Sequence, residues 1–167
     1  GGGPRSPNRM IPLYEAKMAQ IWDHRAASVV ISATALVRQG QPENTTLIQH
    51  SDPSFAPLPR YWVHEHQVTQ RIESQPPTAL IGFTDVTSAT NERTMIAPII
   101  PFAGVGHTMP LVFSVIANGL PFLMYSNLNS FAFDYLGRQK LGGLHYTFFI
   151  LRQLPIAPPV TYTPPCP

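Results

Sequence analysis

Nineteen prolines in 167 residues constrain this chain more than any other feature. Proline has no backbone N–H and fixes φ near −65°, so it interrupts helix interiors and the middles of sheets. A chain with about twice the usual proline content is expected to fold into short elements joined by many loops. Apolar residues make up 44%, and a domain of this length can bury roughly two-thirds of the surface its unfolded chain exposes. Charged residues are only 12%, about half the usual share. One folded domain with a lightly charged, loop-rich surface is predicted.

Residue patterns predict where the elements fall. Ser28 to Val37 is rich in β-branched residues and reads as a buried strand. Gln39 to Pro59, with four prolines, reads as a long surface loop. Arg60 to Val63 is a short strand, and His64 to Ser74 a short helix stopped by Pro76-Pro77. Thr78 to Val86, Thr94 to Phe102 and Leu111 to Ile116 are strands, the second at an edge or bulge because of its two prolines. The main helix is predicted at about 120–136, capped by Asn118, with Pro121 in its first turn. Met124, Leu128, Phe131 and Tyr135 would lie on one face. Gly142-Gly143 would supply a left-handed exit, and His145 to Leu154 a last strand-like segment. The expected class is α+β: short interrupted strands, one main helix and long Pro-rich loops. Residues 1–11 read as a linker lead-in, 12–159 as the domain and 160–167 as a Pro-rich tail. The opening Gly-Gly-Gly-Pro, without Met, suggests a domain excised from a larger protein.

Charge and cysteine content narrow the chemistry. Net charge is +2, from eleven Lys/Arg against nine Asp/Glu, which permits a nucleic-acid partner with a small footprint. Nine of the cations are Arg, suited to bidentate contacts with phosphate and guanine. Cys166 stands alone in the tail, so a disulfide framework or Cys-based zinc site is excluded. No apolar run reaches the ~18–20 residues needed to span a bilayer and no signal peptide is visible, so no membrane partner and a cytoplasmic location are expected.

His64-Glu65-His66 is the one metal-like cluster. On a strand the two histidines would share a side; on a helix they point about 200° apart. The segment reads as helix, which favours a solvated helix start, and no metal site is predicted. His24, His107 and His145 stand singly. There is no G-x-S-x-G elbow or P-loop, and Gly104-Val105-Gly106 reads as a turn. Asp85 and Glu92 lack the Lys that a nuclease pair would need. No catalytic residue is assigned, and no cofactor. Cations interleaved with aromatics remain: Arg60 before Tyr61-Trp62, Arg93 after Thr90-Asn91-Glu92, and Arg138 to Lys140 after Tyr135. For Arg93 a structural ion pair is an equal reading, and Lys140 to Gly143 equally form an ordinary helix cap.

A set of motifs then falls in a recognisable order. Pro12-Leu13-Tyr14-Glu15-Ala16-Lys17-Met18 precedes Trp22-Asp23-His24-Arg25, then Arg60-Tyr61-Trp62-Val63 and Asn91-Glu92-Arg93-Thr94. Leu128-Asn129-Ser130 with Asp134, Arg138-Gln139-Lys140, Gly142-Gly143, and Gln153-Leu154-Pro155 before Pro158-Pro159 complete the run. Together these resemble the C-terminal target-recognition region of type IIG-like restriction–modification adenine-specific DNA methyltransferases and related phage-defence methylases. Ala16 stands where the family usually has Gly, and Trp22 where it has Phe.

The resemblance implies a reader rather than a catalyst. S-adenosylmethionine and the N-P-P-[FYW] motif belong to the parent's methyltransferase domain, and no Asn-Pro-Pro occurs here. Double-stranded DNA and that domain are the implied partners, in a parent with or without endonuclease activity. Implied DNA contacts are Arg60, Tyr61, Arg93, Arg138, Lys140 and His145. Tyr14, Lys17, His24 and Arg25 are expected to face the methylase domain. Motifs shared by members that read different sequences serve as scaffold, which moves specificity to Gln39–Pro59 and Val105–Asn118. The alternatives are a protein-docking module of the same defence complex and a nuclease built on His64-Glu65-His66.

Overall fold

The computed structural model describes residues 9–31, 40–72, 77–113 and 120–162. Its strands are β1 (Met10–Tyr14), β2 (Ala27–Val30), β3 (Gln41–Asn44), β4 (Tyr61–His64), β5 (Ala79–Gly82), β6 (Ile99–Pro101), β7 (Gly104–Val105) and β8 (Leu111–Val112). The helices are α1 (Leu47–Ser51), α2 (Glu65–Thr69), α3 (Leu120–Leu128), α4 (Phe131–Lys140) and α5 (Phe148–Leu151). The class is α+β. Three small sheets carry the strands, in the orders β4-β1-β7, β2-β3 and β6-β5-β8. All pairings are antiparallel except β1 with β7.

Two apolar clusters hold these pieces. One joins Tyr14, Met18, Val29, Leu80, Ile100 and Met109. The other gathers Phe83, Met95, Leu128, Phe133 and Tyr146 under α3, α4 and α5. Tyr146 is fully buried, and its ring lies over Gly137 of α4, where a Cβ would overlap the phenol oxygen. Only a residue without a side chain lets the helix approach so closely.

The strands are shorter than the sequence pattern suggested, and Pro98 immediately precedes the short one within 94–102. Of Thr94 to Phe102 only Ile99–Pro101 is strand, and of Thr78 to Val86 only Ala79–Gly82. Residues 32–37 and 114–116 of two other expected strands, the end of the 64–74 helix, Asn118 and the tail from 163 lie outside the described residues. The predicted 39–59 loop contains β3 and α1. Thr46 starts α1 with a capping box, its hydroxyl accepting from the Gln49 N–H while the Gln49 side chain accepts from the Thr46 N–H.

The expected main helix is two helices. Ser130 Oγ accepts from Phe133 N at 3.1 Å and opens α4. The break turns the expected stripe apart: Leu128 is buried, whereas Phe131 is 80% and Tyr135 64% exposed. Gly142 and Gly143 are not in the left-handed region, and α4 ends at Leu141 in an extended conformation (φ −78°, ψ 100°). The 145–154 segment is a helical turn rather than a strand, because the Thr147 hydroxyl accepts from Ile150 N and caps α5.

Candidate nucleic-acid interface

A buried polar hub surrounds Asp134, which projects from α4 and is 5% exposed. Its Oδ1 accepts from Thr94 N (2.8 Å), Met95 N (2.7 Å) and Thr94 Oγ1 (2.8 Å). Its Oδ2 accepts from Arg138 Nη2 at 3.2 Å, one turn along the same helix. Burial opposes ionisation, but the N–H groups of Met95 and Thr94, the Thr94 hydroxyl and Arg138 outweigh it, and the carboxyl is held below its ordinary pKa. Asn129 acts as a second tie: its Oδ1 accepts from Ala97 N (3.1 Å) and its Nδ2 donates to Ala97 O (2.8 Å). The side chain thereby pairs with residue 97 as a neighbouring strand would.

This hub decides the state of two predicted DNA contacts. Arg93 donates to Asn129 O at 2.6 Å, sits 3.7 Å from Asp134 and stacks 4.7 Å from the Phe131 ring centre. Arg138 donates to the carbonyls of Ala89, Asn91 and Glu92 as well as to Asp134. Both guanidinium groups are committed inside the protein. His145 is exposed and pairs its Nδ1 with Asp85 Oδ2 at 2.9 Å.

Arg60 and Lys140 are placed differently. Lys140 is exposed in the last turn of α4 and makes no ion pair. Arg60 carries its guanidinium 4.8 Å from the centre of the half-exposed Tyr61 ring, and its Nε has no hydrogen-bond partner. Trp62 beside them is also half exposed. Among the described cations, the side chains of Arg60, Arg71, Lys140 and Arg152 make neither hydrogen bonds nor ion pairs.

The residues expected to face a methylase domain tie the chain to itself. Tyr14 is buried and its hydroxyl donates to His24 O at 3.1 Å; burial, helped by Asp23 and opposed by Arg25, pushes its pKa up to about 12. Lys17 donates to Gly40 O at 2.6 Å and pairs with Glu15 at 3.0 Å. Arg25 donates to the carbonyls of His50, Asp52 and Phe55, clamping the segment that follows α1. The His24 side chain is exposed. Glu15, Asp23 and Arg25 thus hold a small frame, with Trp22 standing 76% exposed edge-on against Tyr125.

His64 and His66 come together after all, because β4 ends at His64, with ring centres 5.3 Å apart. Among the described residues no group of three or more His, Cys, Asp or Glu is placed to hold a metal. No described helix is long and apolar enough to cross a membrane.

A further feature is one that the sequence pattern does not reveal. A groove of about 490 Å³ runs between α2 and the β7–β8 region. Leu13 and Val63 floor it, Val105 and Phe113 stand on one side, and Gln67 and Arg71 are on the other. Gln67 lies on α2 and Gln70 and Arg71 in the turn that follows it, at i, i+3 and i+4, and all three line the groove. That spacing is visible in the sequence; the opposite wall is not, since it comes from residues more than thirty positions away. No protein-family model, no curated protein and no solved structure matches this chain.

Proposed function

We propose that this chain is a non-catalytic DNA target-recognition domain of a restriction–modification adenine methyltransferase. In this reading it holds duplex DNA against a methyltransferase domain, which binds S-adenosylmethionine and carries out the transfer. The observation that carries the proposal is the ordered run of motifs together with the way two of them meet. Asn91 to Thr94 and Leu128 to Arg138, which the resemblance treats as scaffold, converge on the Asp134 hub and spend their polar groups there. Lys140 is exposed, and Arg60 is partly exposed with a buried Nε; neither head group has a hydrogen-bond or ion-pair partner among the described residues, which leaves both to meet phosphate.

A recognition domain separated from its catalytic half is expected to bind near the non-specific range of roughly 10⁻⁴–10⁻⁶ M. The test is a fluorescence-anisotropy titration of a labelled random-sequence duplex at low and raised salt, with heparin as the charge control. Weak binding that falls with salt and prefers duplex over heparin supports the proposal. No binding at low salt refutes it.

The second reading, a protein-docking module of the same defence complex, is favoured by a specific surface feature. Phe131, Phe149, Leu47 and Ile48 are each more than three-quarters exposed, and aromatic side chains are of the kind that protein interfaces bury. The same titration separates the readings, since a protein interface gives no salt-dependent DNA binding.

A further inference from the structure

We infer that the groove beside α2 is where this domain reads base edges, with Gln67, Gln70 and Arg71 as the reading side chains. The inference rests on the DNA-recognition reading above and assigns it to a surface. Gln67, Gln70 and Arg71 are exposed, line the groove together, and have side chains free of protein partners among the described residues. Glutamine amides pair bidentately with the N6/N7 edge of adenine, and arginine with the O6/N7 edge of guanine. Free amides and a free guanidinium on one groove wall are therefore suited to purine edges in the major groove.

The floor supplies the rest of the constellation. Tyr61 pairs in register with Leu13, and Leu13 pairs with Gly104, so all three lie on one sheet face. Tyr61, half exposed, thus lies on the sheet face that carries Leu13 and Val63, although neither it nor Arg60 lines the groove. Gly104 keeps the floor low, since a Cβ there would stand 2.5 Å from Val63 Cγ1 and 3.1 Å from Leu13 Cδ1. Val105 and Phe113 offer apolar contact of the kind that meets a thymine methyl. Val105, Leu111 and Phe113 of the lining belong to one of the two regions to which the resemblance moves specificity.

The test uses the whole chain on a support, a random-sequence duplex pool at low salt, and sequencing of the retained fraction. The wild type is expected to enrich a purine-containing sequence. Gln67→Ala, Gln70→Ala and Arg71→Ala, singly and combined, are expected to flatten that enrichment, by about five- to 150-fold for each bidentate pairing removed. Lys140→Ala is expected to lower retention of all sequences alike and keep the enriched motif. These side chains are exposed, and unchanged circular dichroism and Tm confirm that each variant folds. An unchanged motif in the combined variant, or retention of duplex by the wild type without enrichment, overturns the inference while leaving DNA binding in place. Retention of no duplex at all refutes the DNA-recognition reading itself.

Discussion

Replacing Asp134 with alanine removes the acceptor for two buried backbone N–H groups, those of Thr94 and Met95, and for the Thr94 hydroxyl. It also strands the charge of Arg138, and of Arg93 at 3.7 Å. Each buried donor left without a partner costs about 1–3 kcal/mol, and two backbone groups give about 2–6 kcal/mol. The arginines add less than a fully buried pair would, because water reaches part of each guanidinium. A net loss of about 4–6 kcal/mol is expected, close to the whole stability of many domains. Asp134→Asn keeps an oxygen for the two N–H groups but loses the charge and turns an NH2 donor toward Arg138 in place of Oδ2, so about 2–3 kcal/mol is expected. Urea unfolding followed by far-UV circular dichroism measures both. A loss below about 1 kcal/mol for Asp134→Ala would refute the assignment of the hub as the chain's central tie. The pH dependence follows from the lowered carboxyl pKa. A depressed folded-state pKa contributes stability that is fully present above the unfolded value of about 3.9 and is lost as pH falls through the folded value. The wild type is therefore expected to weaken below about pH 4, and its advantage over Asp134→Asn to shrink there.

The other predictions concern packing, alkaline stability and the division among the arginines. Gly137→Ala drives a methyl group into the Tyr146 hydroxyl and is expected to cost about 1–3 kcal/mol despite alanine's better helix propensity. Tyr146→Phe, which removes a buried hydroxyl without a partner, is expected to be nearly neutral alone and to restore much of the loss in the double variant; thermal unfolding reads both. The raised Tyr14 pKa gives stability that is full below about pH 10 and lost as pH rises toward 12. Tyr14→Phe should therefore flatten the alkaline limb of a Tm–pH profile. Arg93→Ala and Arg138→Ala are expected to lower Tm by several degrees with little change in the salt slope of DNA binding, whereas Arg60→Ala lowers affinity for all sequences alike; titrations of the folded variants check this.

What the sequence shows of this fold is what local chemistry decides. The α+β class follows from the strand-like and helical segments, the many short elements in part from the prolines, and Pro121 in the first turn of α3 was legible in the same way. Capping residues were equally local signals. Thr46, Ser130 and Thr147 each begin a helix, yet the prolines and small polar residues around Thr46 suggested a loop, and the apolar residues around Ser130 and Thr147 an uninterrupted helix and a strand. The break at Asn129 depends on Ala97, 32 positions away, so periodicity alone carried the helix through it. The same distance effect governs the arginines. Arg93 and Arg138 look like Arg60 in the sequence, but their fates are set by partners 36 to 49 positions away. Gln67, Gln70 and Arg71 have readable helical spacing, and only the return of residues 103–113 turns that face into a groove.

The central claim is that this chain holds duplex DNA through a few free cations. Affinity for a random-sequence duplex, measured across a series of salt concentrations, tests it most directly. Each phosphate contact contributes a slope of about −0.9 in log K against log salt. With Arg60, Arg71, Lys140 and Arg152 free among the described residues, a linear fall with slope about −1 to −4 is expected. A flat line, or no binding at the lowest salt, would contradict the account and leave a protein-docking role in its place.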